Sequence, residues 1–116
     1  YQALLDVGIE ADFTLGYASE PGFRASYAGP FYWYDLSQER ETSLELHPFC
    51  VMDGTFSRYK KWSDQKTITY LADLVERCRK AEAPLISIWH NSSFYAAGGW
   101  DGMSEVYQTF FAKALD

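Results

Sequence analysis

Two polar residues close apolar runs in this chain: His90 follows Leu85, Ile86, Ile88 and Trp89, and Asp53 follows Val51 and Met52. Each run reads as a buried strand, so each polar residue stands at a strand's carboxyl end, where α/β sheets keep their chemistry. A parallel sheet would bring both to one rim. An aspartate bonded to one imidazole nitrogen fixes the tautomer and leaves the other nitrogen for proton transfer, the work of a general acid. Structural readings stand beside this one. Asp53 before Gly54 also suits a turn former or cap, and a histidine without such a partner is usually a satisfied core residue.

Arg24 sits among aromatic residues, with Tyr17, Tyr27, Phe31, Tyr32, Trp33 and Tyr34 close in sequence. It reads either as a surface ion-pair residue or as the group that holds a catalytic carboxylate ionised and oriented, a task the guanidinium fork does well. The aromatic segment 27–34 reads either as core or as a stacking platform for sugar rings, with Phe31 and Trp33 as its candidates. After His90 come Asn91 and a stretch of small residues broken by Phe94, Tyr95 and Trp100. This is expected to be a loop over the site, with Asn91 and Trp100 as further substrate-binding candidates. Asn91-Ser92-Ser93 also matches the glycosylation acceptor pattern. His47, before Pro48, has no metal-ligand spacing to His90 and reads as structural. Neither a His-x-x-x-His spacing nor paired aspartates are present, so no metal site is expected within this chain.

The elements that must position these groups follow from periodicity. Ala3, Leu4, Leu5 and Val7 read as the end of a helix stopped at a left-handed Gly8. Residues 12–15, 23–24, 43–51 and 85–89 are the four expected strands. Ile68, Leu71, Leu74, Val75 and Cys78 recur at helical spacing over 63–80, with Ser63 or Asp64 as N-cap. Met103, Val106, Tyr107, Phe110, Phe111 and Ala114 repeat that spacing in a second long amphipathic helix. Strand and helix alternate in the second half, which predicts an α/β fold with about four mainly parallel strands and two long helices. Residues 16–36 stand out as a long irregular stretch.

The 116 residues suit one domain, and 47% hydrophobic content with 18% aromatic gives it a core. A formal charge of −6 disfavours nucleic acid and anionic membrane as partners. No apolar run reaches the roughly 18 residues of a membrane span. Cys50 and Cys78 lack metal or redox spacing and read as packed thiols, with a disulfide as the alternative in an exported protein. The opening at Tyr1, already in helical register, leads us to expect a portion upstream.

In order along the chain stand Gly8-Ile9-Glu10-Ala11-Asp12-Phe13-Thr14-Leu15-Gly16-Tyr17, Gly22-Phe23-Arg24-Ala25, Pro30-Phe31-Tyr32-Trp33-Tyr34-Asp35-Leu36, Met52-Asp53-Gly54-Thr55 and Trp89-His90-Asn91-Ser92-Ser93-Phe94. Together they resemble the C-terminal half of a polysaccharide deacetylase-like domain, in a bacterial branch of the carbohydrate esterases. The resemblance covers nearly the whole chain. It implies the C-terminal portion of a distorted (β/α) barrel, part of a larger catalytic domain that removes acetyl groups from a polysaccharide or oligosaccharide with a divalent metal, commonly zinc. Metal ligands and base aspartate would lie upstream, so the isolated chain is expected to be inactive and to self-associate through exposed barrel edges. On the matching positions Arg24 would orient the base aspartate, Asp53 would tune the histidine, and His90 would be the general acid. Ala25-Ser26 and Trp89 depart from the family's proline and leucine. A non-catalytic carbohydrate-binding module or structural domain is the alternative.

Overall fold

The computed structural model describes residues 1–95 and 103–116. It is a mixed α/β structure with two small sheets and their helices. Helix α1 (Gln2–Asp6) stops as its sequence requires: Gly8 takes a φ of +78°, its N–H donates to the Leu5 carbonyl, and the Ile9 N–H donates to Leu4. That is the paired closure of a Schellman motif, which needs a residue tolerant of the left-handed region.

Strands β1 (Ala11–Asp12), β2 (Phe31–Asp35) and β3 (Arg40–Leu46) form one sheet in the order β1-β3-β2. β1 runs parallel to β3 and β2 antiparallel to it. Strands β4 (Val51–Met52) and β5 (Ser87–Ile88) pair in parallel as a second sheet. The expected single strand over 43–51 is divided between β3 and β4, because Pro48 has no N–H to keep a ladder continuous. Backbone bonds still cross the break, from His47 N–H to Asp12, Phe49 N–H to Leu15, and Cys50 N–H to Ile86. The extended stretch from β3 to β4 therefore has the β1 segment along one edge, and β2 then β5 along the other. Gly16 lets this contact close, since a Cβ there would lie 2.3 Å from the Phe49 ring.

Two expectations need correction. Residues 23–24 form no strand: Phe23 packs on the core, the Gly22 N–H donates to Cys50, and the Ser26 N–H turns back to Phe23. The aromatic run expected to be irregular contains β2, whose faces alternate, with Phe31 and Trp33 partly buried and Tyr32 and Tyr34 exposed.

Helix α2 (Asp64–Lys80) begins at Ser63, whose hydroxyl accepts from the Lys66 N–H, and buries Leu71, Leu74, Val75 and Cys78. Helix α3 (Met103–Leu115) buries Met103, Val106 and Phe110. The two helices contact each other and share one hydrophobic cluster with Cys50, Val51 and Phe56, closing over the β4-β5 sheet. At their far end Arg79 donates to the Lys113 carbonyl at 2.8 Å, while Glu76 pairs with Lys113 at 2.6 Å. The Lys113 ammonium is the main reason that the Glu76 carboxyl is held below its ordinary range.

Cys50 and Cys78 are free and buried in that cluster. Burial, with the neighbouring Cys78 thiol, pushes the Cys50 thiol from 9.0 up to about 12. The folded chain therefore keeps a proton that the unfolded chain releases near pH 9, so this group favours folding below pH 9 and its contribution is lost as pH rises through about 12. Urea unfolding at pH 8 to 11 should show a loss of stability that is smaller in Cys50→Ala; equal slopes in the two proteins would contradict it.

Candidate active site

Asp53 and His90 leave the carboxyl ends of the parallel strands β4 and β5 and meet directly. The His90 Nδ1 lies 2.6 Å from Asp53 Oδ1, and the His90 backbone N–H donates to Oδ2 at 2.7 Å. The Gly54 N–H donates to Oδ1 at 2.6 Å and the Ser93 hydroxyl donates to Oδ2. Asp53 is fully buried, yet four donors surround its carboxylate, which is the condition for keeping a charge inside a protein. An ionised carboxylate only accepts, so Nδ1 carries the proton facing it. Nε2 is then the ring nitrogen that Asp53 does not engage. The imidazole is 48% exposed and stands on the wall of a cavity of about 510 Å³ with Met52, Gly54, Arg58, Tyr59 and Ser92.

Local structure explains the placement. Asp53 and Gly54 do not form the expected glycine turn: Gly54 has right-handed helical angles and opens a π-helix, Thr55–Lys60. The Thr55 hydroxyl donates to the Ala18 carbonyl at 2.8 Å, and buried Phe56 packs against Trp62 and Tyr70. A left-handed Lys61 ends the π-helix. On the other side His90 precedes a 3-10 turn, Asn91–Phe94, closed by the Ser93 N–H to the His90 carbonyl. That turn brings the Ser93 hydroxyl under the strand end and onto Asp53. Trp89 sends its ring the other way, against Tyr107 and Phe110 of α3.

Of the residues singled out in the sequence that the structure describes, Asp53 and His90 are the two brought into direct hydrogen-bond contact. Arg24 is exposed with its guanidinium 6.0 Å from the Tyr17 ring centre, and it does not line the His90 cavity. Its charge is felt instead at Tyr1, whose hydroxyl is raised by burial and then by Asp12, with Arg24 opposing. Phe31 and Trp33 face inward, where they meet Tyr27 and Tyr1, and do not line the His90 cavity. Strand alternation gives the solvent side to Tyr32 and Tyr34 instead. Asn91 is exposed beside the cavity but is not part of its wall, and Trp100 lies outside the described residues. Ser93, Arg58 and Tyr59 escape the sequence reading. Ser93 alone had a local signal, standing three residues after His90.

The resemblance implies zinc, and the described residues do not fit it. Among them no group of three His, Cys, Asp or Glu side chains is placed to hold a metal ion. His47, the other histidine, is tied to Glu45 at 2.9 Å and stacked on Phe13. Among the described residues no helix is long and apolar enough to cross a membrane. No family model, curated protein or solved structure matches this chain.

Proposed function

We propose that this chain carries the general-acid half of a polysaccharide deacetylase-like site, in the C-terminal portion of a distorted (β/α) barrel. One observation supports this above the rest: a buried, four-donor aspartate holds His90 through Nδ1 at the ends of two parallel strands, with the imidazole on the wall of a cavity. In this reading Asp53 fixes the imidazole's plane and Nδ1 proton, and Nε2, once it has taken up a proton to form the imidazolium opposite the Asp53 carboxylate, delivers that proton to the departing sugar oxygen or nitrogen as the acetyl group leaves. The metal ligands and the base belong to other parts of the domain, and Arg24 receives its carboxylate from there. Acetate release by this chain alone, with zinc or cobalt added, is then at the blank rate.

A second reading, a non-catalytic carbohydrate-binding module, is favoured by the outer face of β2, where Tyr32 and Tyr34 are each 50% exposed. Titration with acetylated chito-oligosaccharides, followed by NMR, separates the two. Saturable shifts at His90, Ser92 and Tyr59 that weaken in His90→Ala support the deacetylase reading. Shifts at Tyr32 and Tyr34 that ignore His90→Ala contradict it and favour the binding module.

A further inference from the structure

Cys50 and Cys78 come from different elements and meet in the core. Cys50 stands just before β4 and Cys78 near the end of α2; both are free, both belong to the cluster between the β4-β5 sheet and the helices, and their side chains are in hydrogen-bond contact. The backbone holds each in place. The Cys50 N–H donates to the Ile86 carbonyl at 3.0 Å, the Cys50 carbonyl accepts from the Gly22 N–H at 2.8 Å, and the Cys78 carbonyl accepts from the Ala83 N–H at 2.9 Å. Access to the two sulfurs is uneven. Cys78 borders two cavities, one of about 380 Å³ shared with Leu85 and Phe110 and one of about 470 Å³ shared with Phe23 and Tyr70, and Cys50 lines neither. Burial raises both thiols, so the cluster disfavours a thiolate, whereas a disulfide is neutral and suits apolar surroundings.

We propose that Cys50 and Cys78 are an oxidative modification site, at which a peroxide closes the two thiols into a disulfide inside the folded chain. Cys78, the thiol on the cavities, attacks the peroxide: an S–O bond forms, the O–O bond breaks, and Cys78 becomes a sulfenic acid while its proton leaves in the first water. The Cys50 sulfur then attacks the Cys78 sulfur, the S–O bond breaks, and the hydroxide leaves with the Cys50 proton as the second water. Two thiols have lost two electrons and two protons, and the peroxide has taken them up. The step orphans no buried acceptor. The Cys50 S–H donates to the Ile86 carbonyl at 3.7 Å, and that carbonyl keeps the Cys50 N–H when the S–H is gone. The new bond closes the loop 50–78, which carries Asp53 and the π-helix, and so constrains the unfolded chain. This staple is independent of the deacetylase-like reading.

The test treats the reduced, folded chain with hydrogen peroxide, then counts thiols in denaturant and maps the peptides without reduction. The expected result is loss of both thiols together, a Cys50–Cys78 cross-link within a monomeric chain, reversal by dithiothreitol, and an unfolding midpoint about 1 M or more higher in urea than that of the reduced chain. Cys50→Ala, checked for folding by thermal unfolding, should stop at a sulfenic acid on Cys78 that dimedone traps. Cys78→Ala should be labelled at Cys50 about tenfold more slowly, because Cys50 lines neither cavity. Where an alanine variant does not fold, the wild-type peptide map decides alone. Two free thiols after oxidation, a cross-link that forms only in urea or only between chains, or a cross-linked chain that unfolds at lower urea than the reduced one would overturn the site. Equal labelling of the remaining cysteine in the two variants would overturn the order of attack.

Discussion

Asp53→Ala should lower the free energy of unfolding by about 3–5 kcal/mol, the range for removing one partner from a buried, charged hydrogen-bond set. The carboxylate accepts from the Gly54 N–H, the His90 N–H, the His90 ring and the Ser93 hydroxyl. Alanine leaves the buried donors among these without an acceptor, at about 1–3 kcal/mol for each that water cannot reach. The damage is local as well as global. β4 is joined to β5 by only two residue pairs, and Asp53 ties the residue after one strand to the residues after the other. Asp53→Asn keeps the shape but turns an amide donor toward a site built of donors, so it should also destabilise, by less. Urea unfolding gives both values; a loss under about 1 kcal/mol in Asp53→Ala would mean that the carboxylate does not organise this junction.

Phe56→Ala is expected to cost about 3–5 kcal/mol, since a fully buried ring would leave a cavity where Trp62 and Tyr70 now close on it. Its consequences should reach the site. Phe56 anchors the first turn of the π-helix, so its loss should also shift the NMR signals of Arg58 and Tyr59 on the cavity wall. Phe56→Leu retains most of the volume and should cost less. If Phe56→Ala unfolds like the wild type, the π-helix is not held by the core.

The pairing of Asp53 with His90 was readable because both follow short apolar runs, and a parallel sheet aligns such ends. Helix α2 was readable from the period of its apolar residues and from Ser63, and the stop at Gly8 from its backbone freedom. β2 was hidden because tyrosine suits either face: Phe31-Tyr32-Trp33-Tyr34 has no polar residue to mark its alternation, yet only the tyrosines face solvent. The short strand expected at Phe23 and Arg24 has the right residue types but lies in a turn, where side-chain burial of Phe23 replaces ladder pairing. The π-helix has no sequence signature that separates it from an α-helix of the same length. Arg58 and Tyr59 were therefore missed in the sequence, and the structure places them on the cavity wall. The expected convergence of Arg24 with Asp53 and His90 rested on the order of motifs along the chain, which places a residue on a segment without saying where its side chain ends. The guanidinium reaches Tyr17.

The most direct test of the account is the tautomer of His90, read by long-range nitrogen–proton NMR on the folded chain. The account predicts a proton held on Nδ1 by Asp53, with Nε2 unprotonated in the neutral ring, and a change in that pattern in Asp53→Asn. A neutral ring protonated mainly on Nε2, unchanged by Asp53→Asn, would contradict it.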